Sequence, residues 1–321
     1  MHSFTDLVSQ FEERFIASLP FPESPATIYD PCRYFLQLGG KRIRPVLCLM
    51  GNELFDEISE DAWHGAFGIE LFHNFTLIHD DIMDKAPLRR GRPTIHTKYD
   101  LTAGILCGDV MNIYAYDELA KIKTALPQVL RVFNKTAIEV CEGQQLDMDF
   151  ERRNDVSIDE YMHMVALKTS VLLACSLKIG ALTSGAMGDN ANKLYAFGIN
   201  MGIAFQLQDD YLDAFGKTDL LGKQSGGDII ANKKTYLFLK ALENATAAQL
   251  KEIESLLQHS GVDKVPAMLA LFAATGADSQ CRDAVAHYSK LAFDCLEDVA
   301  IPGKRKQPLM ELANYLLVRD K

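Results

Sequence analysis

The 321-residue sequence lacks any CxxC pair or Cys/His ligand pattern. Its seven cysteines, at positions 32, 48, 107, 141, 175, 281 and 295, are odd in number and sit mostly inside apolar helical runs. That usage argues for buried reduced thiols, against disulfides or zinc, and for a cytoplasmic compartment. No run of about 18 uncharged apolar residues is found. The nearest approach, Leu194–Gln208, is shorter and leads into Asp209, so no transmembrane segment is expected. The N-terminus, MHSFTDLVSQFEERF, is acidic and amphipathic, with no basic region ahead of an apolar core, and does not read as a signal peptide. Positive charge is also scarce: 33 Lys and Arg against 43 Asp and Glu give a net charge of −10, which argues against a nucleic-acid partner.

Alternating strand runs, Pro/Ser-rich linkers and tandem repeats are likewise missing. What is present is helix after helix. Apolar periodicity and the breakers between the runs predict helices over 3–18, 27–38, 42–54, 60–84, 101–122, 127–149, 157–184, 190–215, 232–242, 246–259, 263–274, 277–298 and 306–319. Several exceed twenty residues and are apolar around much of their circumference, which favours a layered bundle over a solenoid. The expectation is a single all-α domain over residues 1–321.

The stretch Leu71–Arg92, LFHNFTLIHDDIMDKAPLRRGR, ends one of these helices in an acidic cluster followed by a basic loop. At helical spacing Asp80 and Asp84 lie one turn apart on one face. Such like-charge pairs cost about 0.2–0.5 kcal/mol unless a cation joins them. Mg²⁺ suits the position, since it takes hard oxygen ligands and keeps waters and substrate phosphate alongside one or two carboxylates. Read alone, Asp80, Asp81 and Asp84 fit a solvated helix end equally well. The same spacing returns in GIAFQLQDDYLD as Asp209, Asp210 and Asp213, with Gln206 on their face. Two such clusters more than a hundred residues apart are poorly explained as solvated faces.

Other constellations carry positive charge. GGKRIRP at Gly39–Pro45 joins two helices; alone it reads as a turn with solvated charges, or as a donor-rich loop for an anion. His73 lies seven residues before Asp80 on the same helix face, and by itself reads as a partly buried histidine. Arg89 and Arg90 sit in a loop stiffened by Pro87 and Pro93, where guanidinium forks suit phosphate oxygens. Lys168, beside Thr169, is embedded in the apolar run VALKTSVLLACSLKIG, and either finds an anion or snorkels to the surface. FGKTDLLGKQSGGDIIANKKT, with Lys223 and Lys233, reads as a lid or as an ordinary surface loop. Gln144, Gln145, Asp147 and Asp149 form a further polar patch that reads as support for the site.

With both clusters in order, the chain resembles the trans-isoprenyl diphosphate synthases, the polyprenyl synthetase family, from Gly39 to the C-terminus. The resemblance implies an isoprenoid-synthase-type helical bundle around a deep central cavity, and a homodimer formed through helices of the first half. It implies Mg²⁺, three ions, with Asp80, Asp84 and Asp209 as metal ligands. It assigns Lys41, Arg44, His73 and Arg90 to isopentenyl diphosphate, and Arg89, Lys168 and Thr169 to the allylic diphosphate, with Lys223 and Lys233 completing the diphosphate cage. Gln206 either donates to that diphosphate or buttresses an aspartate. The implied reaction is the ionisation of an allylic diphosphate followed by addition of isopentenyl diphosphate.

Product length hangs on Phe75, five residues before Asp80 and about 7 Å along the helix, with Thr76 next to it and Phe72 about 12 Å away. Phe75 as a floor, Thr76 as a modest neighbour and no insertion in DDIMD favour geranylgeranyl diphosphate over farnesyl diphosphate; Phe75 turned into helix packing is the other reading. Rival functions are an HD-type metal phosphohydrolase built on His79–Asp80, a non-catalytic prenyltransferase subunit, and a terpene cyclase. The first leaves GGKRIRP and the second cluster unexplained, the second typically loses one cluster, and the third normally lacks the site formed by Lys41, Arg44 and His73.

Overall fold

The computed structural model describes residues 1–186, 189–216, 226–259 and 261–317. It is all-α, as the periodicity predicts. The helices are α1 (Phe4–Ala17), α2 (Ala26–Leu36), α3 (Ile43–Glu53), α4 (Glu60–Met83), α5 (Ile95–Lys98), α6 (Leu101–Ala120), α7 (Leu126–Arg152), α8 (Ile158–Val165), α9 (Val171–Thr183) and α10 (Asp189–Phe215). They continue as α11 (Gly227–Ile230), α12 (Tyr236–Asn244), α13 (Ala247–Leu257), α14 (Val265–Ala274), α15 (Ala277–Glu297) and α16 (Gly303–Leu317). Among the described residues the strands are two short antiparallel ones, Leu88–Arg89 and Arg92–Pro93, which pin the basic loop after α4.

The chain divides into two compact units. The first comprises Met1–Phe133, Ser176–Asn192 and Lys304–Pro308; the second comprises Asn134–Cys175, Lys193–Gly303 and Leu309–Lys321.

In the first unit α4 is the central element. Ser59 caps its start by accepting from the Ala62 amide, with Glu60 and Asp61 in the first turn. Nearly every residue from Ala62 to Phe72 is buried, which is why the sequence shows apolar residues around the whole circumference. Glycines set the spacing: a Cβ on Gly68 would lie 3.0 Å from the Ala115 carbonyl of α6, and one on Gly108 would strike the His79 ring at 2.2 Å. Replacing either would therefore force α4 and α6 apart.

The second unit is built on a core of Phe150, Tyr161, Met164, Leu207, Phe238, Phe272 and Cys281, among others. A capping box between Ser157 and Glu160 starts α8. The predicted helix over 157–184 is continuous, but Ala166–Ser170 forms a π turn inside it. This run, Ile158–Thr183, is long and apolar enough to cross a membrane by length and composition, and 72% of its most apolar window is buried within the protein. Unlike the uncharged run Leu194–Gln208, it is interrupted by Lys168 and Lys178. The predicted helix over 232–242 also starts late, at Tyr236, because Asn232 sits at φ +54° and Thr235 supplies the cap. None of the seven cysteines forms a disulfide; five are buried, Cys295 is half-buried and Cys141 is exposed.

Candidate active site

The first aspartate cluster lies at the C-terminal end of α4, with Asp84 as the capping residue. Backbone carbonyls already make this end of a helix negative, so three carboxylates there are repelled both by one another and by the helix. The three are not equivalent. Asp81 is turned inward, only 2% exposed, and takes the Arg89 guanidinium on both oxygens, with Nε at 2.9 and 2.8 Å. Asp80 is half-buried and Asp84 exposed. Arg89, which the sequence places on the allylic diphosphate, is thus held by an aspartate of the cluster in this structure.

The loop before α3 and the middle of α4 build a second feature. Arg42, at φ +49°, caps α3 from within the protein: its side chain is buried against Glu70 and donates to the Leu36 carbonyl at 3.2 Å and to Glu12 at 3.3 Å. This fixes the chain direction so that Lys41 is exposed while Arg44 points inward. The Arg44 guanidinium lies 3.2 Å from Nε2 of His73, and its own Nε is buried with no hydrogen-bond partner. Burial lowers the Arg44 pKa to about 10, while Glu70 and Asp80 act to raise it. His73 is driven well below its ordinary value, first by burial and then by Arg44, Arg90, Arg89 and Arg42, so it is a neutral acceptor that orients Arg44. Arg90 donates to the Gly39 carbonyl and lies over Gly40, where a Cβ would come within 3.0 Å of its guanidinium. The structure therefore gathers Arg44, His73 and Arg90 at the GGKRIRP loop. A buried guanidinium nitrogen without an acceptor is a donor left unsatisfied within the protein.

Further along α4, the Thr76 hydroxyl donates to the His73 carbonyl at 2.8 Å. Phe75 is half-buried, its ring 5.5 Å from Phe72 and 4.9 Å from His79; Phe72 in turn meets Phe133 at 5.1 Å. His79 packs on Gly108 and its Nε2 reaches the Ile105 carbonyl at 3.1 Å, so this imidazole is committed to joining α4 and α6. That commitment removes the observation on which an HD-type phosphohydrolase would rest.

In the second unit, α10 carries the other cluster. Its middle aspartate is again the inward one: Asp210 is 3% exposed and accepts from the Tyr161 hydroxyl, from Nε2 of Gln206 at 3.1 Å and from the Tyr236 amide at 3.5 Å. Burial raises its pKa to about 6 against the pull of Tyr161, Lys233 and Gln206. Asp209 is exposed, and Asp213 accepts from the Asp228 amide at 2.9 Å. Gln206 buttresses Asp210 and also accepts from Thr169 at 3.3 Å. Lys168 projects from the π turn and is paired with Asp147 of α7. The two helices meet closely there, since a Cβ on Gly143 would fall 2.4 Å from the Lys168 amide. The Gln144–Asp149 patch thus supplies Lys168 with its carboxylate.

Asp228 and Tyr161 were missed by the sequence reading. Burial raises the Asp228 pKa, Lys233 lowers it, and Asp213, Asp147 and Asp209 raise it further; Lys233 Nζ stands 3.9 Å away. Asp228 is therefore a fourth carboxylate beside Asp147, Asp209 and Asp213, and its place in GGDIIANKK was the available signal. Lys223 lies outside the described residues, as do residues 217–225 of the predicted lid.

The donor set toward a cation is carboxylate oxygen throughout. Among the described residues, no three His, Cys, Asp or Glu side chains close around one point. Carboxylate oxygens are hard donors of the kind that a divalent cation can combine with water and phosphate oxygens.

The polyprenyl synthetase family model matches residues 25–272. A geranylgeranyl diphosphate synthase of Methanosarcina mazei is 36% identical over 311 residues, covering 92% of this chain and 91% of its own. A geranylfarnesyl diphosphate synthase of Natronomonas pharaonis is 34% identical, covering 93% and 92%. Among solved structures, a geranylgeranyl pyrophosphate synthase superposes with a TM-score of 0.94 at 42% identity, over 100% of both chains. By the family match and these relatives, this chain, with its two aspartate clusters, belongs to the polyprenyl synthetase family and is a trans-prenyltransferase.

Proposed function

We propose that the enzyme condenses isopentenyl diphosphate with an allylic diphosphate to give geranylgeranyl diphosphate. The observation that carries the reading is the buried, unpartnered Nε of Arg44 beside neutral His73, an anion site separate from the aspartate clusters. A cyclase, with one diphosphate substrate, has no use for it. Arg44, Lys41 and Arg90 hold isopentenyl diphosphate with its double bond set for attack. Arg89, Lys168, Thr169, Lys223 and Lys233 take the allylic diphosphate, and the guanidinium and ammonium groups stabilise charge on the departing oxygen as the allylic C–O bond breaks. The new C–C bond forms from the isopentenyl double bond, and the proton then lost passes to the released diphosphate. Asp80, Asp84 and Asp209 are the residues that would hold Mg²⁺, three ions by the family resemblance. Bound Mg²⁺ supplies neutralisation of the diphosphate charge.

Geranylgeranyl as product is supported by the names of the relatives and by Phe75 in the position of a floor. The homodimer is supported by α6, whose residues Leu101, Ile105, Ile113 and Tyr116 are 55, 43, 65 and 38% exposed along one face. A cytoplasmic location, with no membrane-spanning role for Ile158–Thr183, is supported by the buried cysteines outside any disulfide and by the burial of that run. We also take residues 1–321 as one catalytic domain in which both aspartate clusters serve one reaction. The test supplies Mg²⁺, isopentenyl diphosphate and labelled allylic diphosphates and separates the extracted products by chromatography. A geranylgeranyl product is expected; release of diphosphate without any longer prenyl chain would overturn the reading.

A further inference from the structure

We propose that Tyr161 is the positioning residue of the second aspartate cluster: its hydroxyl holds Asp210 inward and leaves Asp209 to meet a cation–diphosphate ligand. The proposal rests on the cation reading of the cluster given above. Tyr161 is buried in α8, seven residues before Lys168. Its ring packs in the core shared with Leu207, Phe238 and Cys281, and its hydroxyl donates to Asp210. A desolvated carboxylate needs donors on both oxygens. On Asp210 these are Tyr161, the Gln206 amide at 3.1 Å and the Tyr236 amide at 3.5 Å, the last at the limit of a hydrogen bond. Without the hydroxyl, one oxygen keeps only that long contact. Rotation outward, toward Asp209 and Asp213, restores solvation to the charge, and a third carboxylate there changes the charge and geometry offered to a cation. One buried oxygen thus decides which carboxylates the cluster presents. Because the ring is anchored by its own apolar contacts, the hydroxyl can be removed without removing the packing.

Tyr161→Phe isolates that hydroxyl. Two titrations are read: the Mg²⁺-dependent rise in melting temperature in the presence of inorganic pyrophosphate, and Mg²⁺ activation of turnover. Both half-saturating Mg²⁺ concentrations are expected to change about tenfold, as loss of one hydrogen bond to a charged group implies, with the KM for isopentenyl diphosphate unchanged. A lower melting temperature with both Mg²⁺ titrations unchanged would mean that the residue only packs, and would overturn the proposal. A wild-type protein with no Mg²⁺-dependent shift would remove the cation reading and the proposal with it. Should Tyr161→Phe fail to fold, the comparison moves to Asp210→Asn with and without Tyr161→Phe, because a neutral amide does not need the hydroxyl to compensate a charge. Less than a twofold difference in half-saturating Mg²⁺ supports action through Asp210. A difference of about tenfold in that background would place the effect elsewhere and overturn it.

Discussion

The two aspartate clusters share one spacing and one division of labour, but they are held by different chemistry. In each, the middle carboxylate is buried and serves the protein, Asp81 at the end of α4 and Asp210 on α10. Asp81 is clasped by a guanidinium from the next loop, whereas Asp210 is held by a phenol, a side-chain amide and a backbone amide, all neutral. The contrast separates a holder that can leave from one that cannot. Arg89 sits in the basic loop and is proposed above as a diphosphate ligand, a role that would let the first cluster exchange its holder for substrate. Tyr161 is locked in the core, and the second cluster keeps one arrangement throughout.

Removing the residues that the clusters present outward should have the largest effect. Asp80→Ala and Asp209→Ala should each lower kcat by about 10³-fold or more with the fold unchanged, measured at saturating Mg²⁺. Near-normal turnover in either would break the parallel between the clusters. Next in size is a stability effect confined to the second cluster. The Asp210 carboxyl is raised from 3.8 to about 6, so its contribution to stability is complete below pH 4 and is lost as pH rises through about 6. Asp210→Asn should remove that loss. Relative to wild type, the variant should gain on the order of 3 kcal/mol, as an upper bound, between pH 4 and pH 7 in denaturant melts without metal. A gap independent of pH would mean that the neutral donors hold an ordinary carboxylate.

The cations beside the first cluster give a smaller, more selective test. Arg44→Ala should raise the KM for isopentenyl diphosphate about 30-fold and leave that for the allylic substrate nearly unchanged. Arg89→Ala should do the reverse, and should also cost about 2 kcal/mol of stability by stranding Asp81. Equal changes in both KM values for both variants would erase the sorting of these arginines. The mildest change is Phe75→Ala, expected to lengthen the product by an isoprene unit or more in chromatographic analysis while turnover persists. An unchanged product would move the floor to Phe72, already packed on Phe133.

Helix positions were legible because long amphipathic or fully apolar runs with clear breakers leave few alternatives, and α4 and α10 follow the predicted spans within a residue. The clusters were legible for the same reason, since a helix turns i, i+4 spacing directly into a shared face. What periodicity could not say is which way each aspartate turns. Asp80 and Asp81 are adjacent and identical in type, and only tertiary partners separate them. Arg42 looked equivalent to Lys41 and Arg44 until Glu70, twenty-eight residues away, claimed it. Tyr161 read as one more core aromatic, because its value lies in a single oxygen whose partner is forty-nine residues on. The π turn that presents Lys168 and Thr169 left no mark in the apolar pattern, since a run apolar on most faces keeps no stripe whose shift would reveal one added residue.

The division between outward and inward carboxylates is tested most directly by the Mg²⁺ concentration at half-maximal activity in four isosteric variants, Asp80→Asn, Asp81→Asn, Asp209→Asn and Asp210→Asn. The account predicts a rise of about tenfold or more at 80 and 209 and less than twofold at 81 and 210. Equal rises at all four would show that every aspartate faces the cation, and would contradict it.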